Sequence, residues 1–332
     1  MRADVRVGPA GWSYEDWRRI VYPATRPAGF HEAEYLARYF PLIEINTSFY
    51  RPLRSELSRL WVKKVQEHPR FQFTAKLYKG FTHDRQLDRD EVRLFCDGLA
   101  PLADAGRLGC LLMQFPWSFR FNRENRDFLG KLSHAFGHYP LVAEVRHTSW
   151  NCDEGLDAFI DSHIGFCNID QPQLDHCLPP TAHVTSPIGY VRLHGRNYQE
   201  WFNFKSEDSD PSQLRNNHAR YDYLYNRPQL EKWKTRIDQI ADHARTTYVV
   251  TNNCAAGKAV VNALQLVEML AEEPVDVPAE LLSHYPELCT ISRGTPAQGN
   301  LFYMPPPRKV SRSNEASPHR GPLLVKAAGG SR

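Results

Sequence analysis

The chain has 332 residues, 42% hydrophobic and 24% charged, with a formal net charge of +3. This is ordinary composition for one large folded domain or two small ones; it excludes wholesale disorder, and the charge is too small to imply a polyanionic partner by itself. No run of about 18 apolar residues occurs and the opening MRADVRVGPAGW lacks the basic and apolar regions of a secretory leader, so a cytoplasmic location without membrane association is expected.

Eight strand-like runs follow in order: VRVGPAGW from Val5, LIEINTSFY from Leu42, FQFTAKL from Phe71, LGCLLMQF from Leu108, LVAEVRH from Leu141, IGFCNID from Ile164, GYVRLHG from Gly189 and TTYVVTNN from Thr246. Helical patterns occupy most of the gaps. FHEAEYLARYF precedes the second run, and SELSRLWVKKVQEH follows it with Ser55 as candidate N-cap. NRENRDFLGKLSHAF follows the fourth, while PQLEKWKTRIDQIADHA and GKAVVNALQLVEMLAE flank the eighth. Strands alternating with helices at this spacing indicate parallel βα units, and eight units indicate an α/β fold of the TIM-type (β/α)8 barrel. The sixth connection, QPQLDHCLPPTAHVTSPI, holds four prolines and no helical period, so it is expected to be mostly loop. The barrel is expected over 1–275, a C-terminal extension packing on it over 276–305, and a basic, disordered tail over 306–332. Seven cysteines without a CxxC pair read as buried free thiols.

Side chains alternate along a strand, and in a helix-wrapped barrel the apolar set faces the helices. The polar set then faces the lumen: Glu44 with Asn46, Lys76, Glu144 with Arg146, Asn168 with Asp170, and Arg192 with His194. Such charges are costly to bury unless paired, and the set is nearly balanced, so an interlocking packing network remains one reading. The other is a site at the carboxyl ends of the strands, where barrels of this kind carry their chemistry. On that reading Glu44, Glu144, Asp170 and His194 are acid and base candidates. Trp12, Asn46, Lys76, His83, Arg146, Arg192, Asn252 and Asn253 are ligand-binding candidates. His83 lies in THDRQL after the third run; Asn252 and Asn253 precede Gly257 at the strand–helix junction where barrels often bind phosphate. Aromatics gather after several strands: Trp12, Tyr14, Trp17, Phe49, Tyr50, Trp117, Phe119, Trp150, Trp201 and Phe202. They suit stacking on sugars or bases, or packing of the loops on one another. No ligand spacing fixes a metal, so a divalent metal is not favoured and the cofactor is left unknown.

GPAGWSYEDW, EINTSFYR, FTAK, THDRQL, LLMQFPWSF, AEVRHTSW, YVRLHGRN, YDYLY and TNNCAAGKAVVNALQL, in that order over roughly residues 5 to 270, resemble the YecE-like family, defined as domain of unknown function 72. The family more often reads TSGW and EINSTFY where this chain has PAGW and EINTSFY. The resemblance implies a TIM-type barrel and supplies no activity. The residues themselves lead to an enzyme acting on a small polar, sugar-like or phosphorylated ligand by acid/base chemistry of hydrolase, isomerase or lyase type rather than redox type. The alternative is a binding module for nucleic acid or a protein partner, using the aromatic rim and basic tail; the oligomeric state is left unknown.

Overall fold

Each of the eight strand-like runs forms a strand in a computed structural model that describes residues 4–199 and 219–294. These are β1 (Asp4–Pro9), β2 (Leu42–Ile45), β3 (Gln72–Lys76), β4 (Leu108–Gln114), β5 (Leu141–Glu144), β6 (Ile164–Asp170), β7 (Ile188–Leu193) and β8 (Thr246–Thr251). All pairs are parallel, in the order β1-β8-β7-β6-β5-β4-β3-β2. A bridge between Ala10 and Glu44 and a 2.8 Å bond from Gly11 N–H to Glu44 O join β1 to β2, so the sheet closes into a TIM-type barrel. The seam is tight: a Cβ on Gly8 would stand 1.8 Å from Leu42 O, so only glycine fits.

The outer layer comprises α1 (Glu32–Leu36), α2 (Ser55–Lys64), α3 (Lys79–Thr82), α4 (Arg89–Asp104), α5 (Arg123–Phe136), α6 (Asp153–Asp161), α7 (Arg227–Ala241), α8 (Lys258–Ala271) and α9 (Ala279–His284). Local chemistry sets several of their starts. Asp88 and Asn122 cap α4 and α5, and at α7 Asn226 accepts from Gln229 N–H while the Gln229 side chain bonds back to Asn226 N–H. Ser55 is the first residue inside α2 rather than its cap; Arg54 takes that place without a side-chain bond. Leu281, Leu288 and Ile291, beyond α8, join the buried apolar core.

The sixth connection, residues 171–187, contains no helix, as expected. It covers β6 with backbone that needs partners, and Asn168 supplies them. Asn168 Oδ1 accepts from Thr181 Oγ1 and His183 N–H, both at 2.8 Å, and its Nδ2 donates to His183 O at 3.0 Å. This reverses the expected facing of one strand. Cys167 is level with Tyr190 and Ile169 with Arg192, so the odd residues of β6 face the lumen while Asn168 and Asp170 face outward. The polar-inward rule fails here because the outer layer is itself polar.

One further irregularity tunes the barrel. Phe73 pairs with Leu108 but Ala75 with Leu111, so β4 uses three residues where β3 uses two. Downstream of the bulge Lys76 is level with Leu112, and Gln114 with Glu144. Trp201, Phe202 and the tail from 306 lie outside the described residues. Among the described residues, no helix is long and apolar enough to cross a membrane.

Candidate functional site

The lumen is built around Arg192, fully buried on β7. Its Nη2 donates to Glu44 Oε1 at 2.7 Å, and its Nη1 donates to Glu144 Oε2 and, at 3.2 Å, to Gln114 Oε1. Glu44 Oε2 also accepts from Tyr190 at 2.9 Å. Burial alone would favour a neutral Arg192, but Glu44 and Glu144 outweigh it and hold the guanidinium charged. Glu144 is similarly opposed by burial, yet Arg192, His194 and Arg146 together drive its pKa well below the usual carboxylate range. A carboxylate so held stays ionised and delivers no proton near neutrality.

His194 lies against the same carboxylate, its Nε2 3.3 Å from Glu144 Oε1. Asn252 Nδ2 donates to His194 Nδ1 at 2.9 Å, which assigns the ring proton to Nε2. Burial dominates over the attraction of Glu144 and pushes the imidazole down to about 3, so it is neutral at ordinary pH. Glu144 and His194 therefore belong, with Glu44, to the packed floor of the barrel, the first held ionised and the second neutral. Asp170 is not part of that floor. It accepts from Arg196 Nε through both carboxylate oxygens, each at 3.0 Å, and bonds Tyr225, just before α7, and Trp233 of α7, on the outer side.

Above the floor the strand ends converge on a different set. Lys76, at the end of β3, is 9% exposed, and its Nζ lies 5.7 Å from the centre of the Phe49 ring. Among the described residues that ammonium has no hydrogen bond or ion pair. Burial, and next the Arg192 guanidinium, push it down to about 8 against the opposing pull of Glu44 and Glu144. Arg146 is 8% exposed and binds Glu144 through Nε at 3.1 Å. Asn46 donates to Tyr14 at 3.3 Å while its Oδ1 is buried without a hydrogen-bond partner among the described residues. His83 takes a bond between Nδ1 and Thr82 Oγ1 and packs edge-on against Phe49, 5.2 Å between ring centres. Lys76, Asn46, Arg146 and His83 thus share the carboxyl end of the barrel.

Other candidates serve the scaffold. Trp12 is 8% exposed and packs on Trp61 of α2 and Phe73, within the layer between sheet and helices rather than at a rim. Asn253, fully buried, donates to Tyr223 O and Asn262 Oδ1, tying α8 to the segment before α7. The junction before α8 already holds an anion of the protein's own, because Ala256 N–H donates to the Asp16 carboxylate at 2.6 Å. Phe119 and Trp150 stack on each other in the core, whereas Tyr50 and Trp117 are exposed. Among the described residues no group of three His, Cys, Asp or Glu is placed to hold a metal.

Three lumen residues escaped the sequence reading. Gln114 and Tyr190 complete the Arg192 network, and Cys167, with Glu144, Arg192 and Glu44 as its charged neighbours, faces the same interior. Parity could have found Tyr190, an even step from Arg192, whereas Gln114 lies on a strand where no residue was assigned to a face and beyond a register shift. Cys167 required knowing which way β6 faces.

The family model described as protein of unknown function DUF72 matches residues 6–285. The UPF0759 protein YunF of Bacillus subtilis is 29% identical over 279 residues, which is 80% of this chain and 94% of that protein. A crystal structure of a DUF72 protein from Thermotoga maritima is 31% identical, covers 81% of this chain and 99% of its own, and superimposes with a TM-score of 0.68. A second, from Enterococcus faecalis, shares the fold at 24% identity and a TM-score of 0.68, covering 82% of this chain and 98% of its own.

Proposed function

This chain belongs to the DUF72 family, a family of unknown function, and from that premise we propose that it is an enzyme acting on a small polar ligand bearing an anionic group, held at the carboxyl end of the barrel. One observation carries the reading: Lys76 keeps an ammonium at that end nine-tenths buried with no hydrogen bond or ion pair among the described residues. Leaving a charge buried and unpaired costs several kcal/mol by general experience, so a scaffold without a use for it gains by losing it. The partnerless Asn46 Oδ1 adds an acceptor for a ligand hydroxyl, and Arg146 adds a second cation. Phosphorylated sugars meet both requirements.

The acid/base role passes from the four residues expected to hold it to Lys76. Glu144 is held ionised, His194 is held neutral, Glu44 accepts from Arg192 and Tyr190, and Asp170 faces the outer layer. Lys76, pushed down to about 8, exchanges a proton near working pH. Thermal shift with inorganic phosphate and a panel of phosphorylated sugars, followed by turnover assays on those that bind, tests the proposal. Stabilisation that is lost in Lys76→Met supports it; no shift with any member, or equal shifts in Lys76→Met, overturns it. A binding module is the second reading, favoured by the exposed Trp117 ring with the Arg120 guanidinium 5.1 Å from its centre. Single-stranded nucleic acid would then bind with an affinity that falls steeply with salt, and Trp117→Ala would weaken it.

A further inference from the structure

The site reading above treats Lys76 as a cation that binds and exchanges a proton. Its setting supports more. An amine becomes a nucleophile when it is desolvated in an apolar pocket or placed beside another cation, and Lys76 meets both conditions. The Phe49 ring borders Nζ, and the buried Arg192 guanidinium acts on it from the neighbouring floor. The charged and titratable groups around it come from four places: Glu44 on β2, Glu144 and Arg146 at the end of β5, Arg192 on β7, and Cys254 after β8. Burial pushes the Cys254 thiol up to about 12, so it stays protonated and contributes no charge.

We propose that Lys76 is a covalent catalyst, attacking the carbonyl carbon of a small aldehyde or ketone that carries a phosphate or carboxylate and forming an imine with it. The inference rests on the proposed function, because it needs the same site and the same class of anionic ligand. In the step, the Nζ lone pair forms a bond to the carbonyl carbon and the carbonyl π pair moves to oxygen, giving a carbinolamine. The two amine protons then leave with that oxygen as one water, the C–O bond breaks, and a C=N bond remains. No oxidant or reductant is required, and water reverses the step. Once protonated, the imine nitrogen draws electrons from the adjacent carbon, which assists proton loss or carbon–carbon cleavage there. The negative floor of Glu44 and Glu144 stabilises that cation. Arg146, at the same end of the barrel, is positioned for the anionic group.

Two measurements on the full-length protein test this. Competitive acetylation with trace acetic anhydride over pH 6–11, read by peptide mass spectrometry, follows each free amine without any ligand. Lys76 is expected to titrate near pH 8, giving it about a hundredfold larger free-amine fraction at that pH than an ordinary lysine of pKa about 10.4. Trapping with sodium cyanoborohydride in the presence of dihydroxyacetone phosphate or glyoxylate is expected to place a reduced adduct on Lys76. Its yield should exceed that on surface Lys131 at least tenfold, survive in Lys79→Met and vanish in Lys76→Met. A Lys76 that titrates like the surface amines, or one that titrates near 8 yet forms no adduct with either probe, overturns the proposal. The phosphate thermal shift separates the two ideas: a shift without an adduct leaves Lys76 an electrostatic anchor and the proposed function intact, whereas no shift at all removes the site.

Discussion

Two buried cations four strand positions apart in the barrel order behave oppositely. Arg192 is enclosed by Glu44, Glu144 and Gln114, and taking away one carboxylate leaves the buried guanidinium incompletely compensated. Glu44→Gln is therefore expected to lower unfolding stability by about 3 kcal/mol in urea titrations. Lys76 has no such partners among the described residues, so Lys76→Met is expected to leave stability unchanged or raise it by about 1–3 kcal/mol while abolishing ligand-induced shifts. If Lys76→Met instead destabilised the fold as Glu44→Gln should, Lys76 would belong to the scaffold. Most of this residue-level pattern is legible from alternation: Glu44, Lys76, Glu144 and Arg192 were placed in the lumen by parity. What parity does not encode is ionisation. Glu144 and Lys76 are both buried charged residues, but three cationic or imidazole neighbours hold Glu144 ionised, whereas burial and then Arg192 push Lys76 down.

Elements were legible where a single periodicity dominated. All eight strands emerged, as did the helical patterns of α2, α5, α7 and α8, because each has a clear apolar stripe or cap. α4 and α6 were not named in advance: α4 carries Pro101 in its interior and starts in a cluster of charges, and α6 spans only nine residues. β6 was found but its facing was reversed, for the partner that makes Asn168 an outward residue is a loop lying 13–15 residues further along the chain. Asn168→Leu should strip that loop of its anchors. We expect a loss of about 2–4 kcal/mol, from several buried bonds at about 1 kcal/mol each, with hydrogen exchange rising first over 171–187. Asn226→Ala, which removes only the α7 cap, should cost about 1 kcal/mol and leave exchange in that loop unchanged.

At the scale of the whole molecule the buried ionic floor makes stability depend on acidity. The His194 imidazole is pushed down to about 3 in the fold, against an unfolded value of about 6.5. Between those values the unfolded chain binds the extra proton, so stability rises with pH across the window and is lost as pH falls from about 6.5 toward 3. Glu144, also depressed, adds a loss in the same direction below about 4.5. The expected slope near pH 5 includes about 1.4 kcal/mol per pH unit from His194, and His194→Gln should flatten it by that amount in urea midpoints. A slope that His194→Gln leaves unchanged would mean the imidazole is not buried neutral. Lys76 works in the opposite range: its amine is depressed as well, so stability should climb further between pH 8 and 10.5.

The extra residue that β4 spends opposite β3 acts as a phase shifter for the ring. Upstream of it Leu108 shares the outer side with Phe73; downstream the count has slipped by one, and only for that reason does Gln114 arrive beneath Arg192. A side-chain replacement in this strand perturbs one site, whereas excising a single residue between the bulge and Gln114 would present Phe115 to the guanidinium and turn Gln114 toward the helices. Length, more than letter identity, is what this stretch of chain must conserve through any redesign.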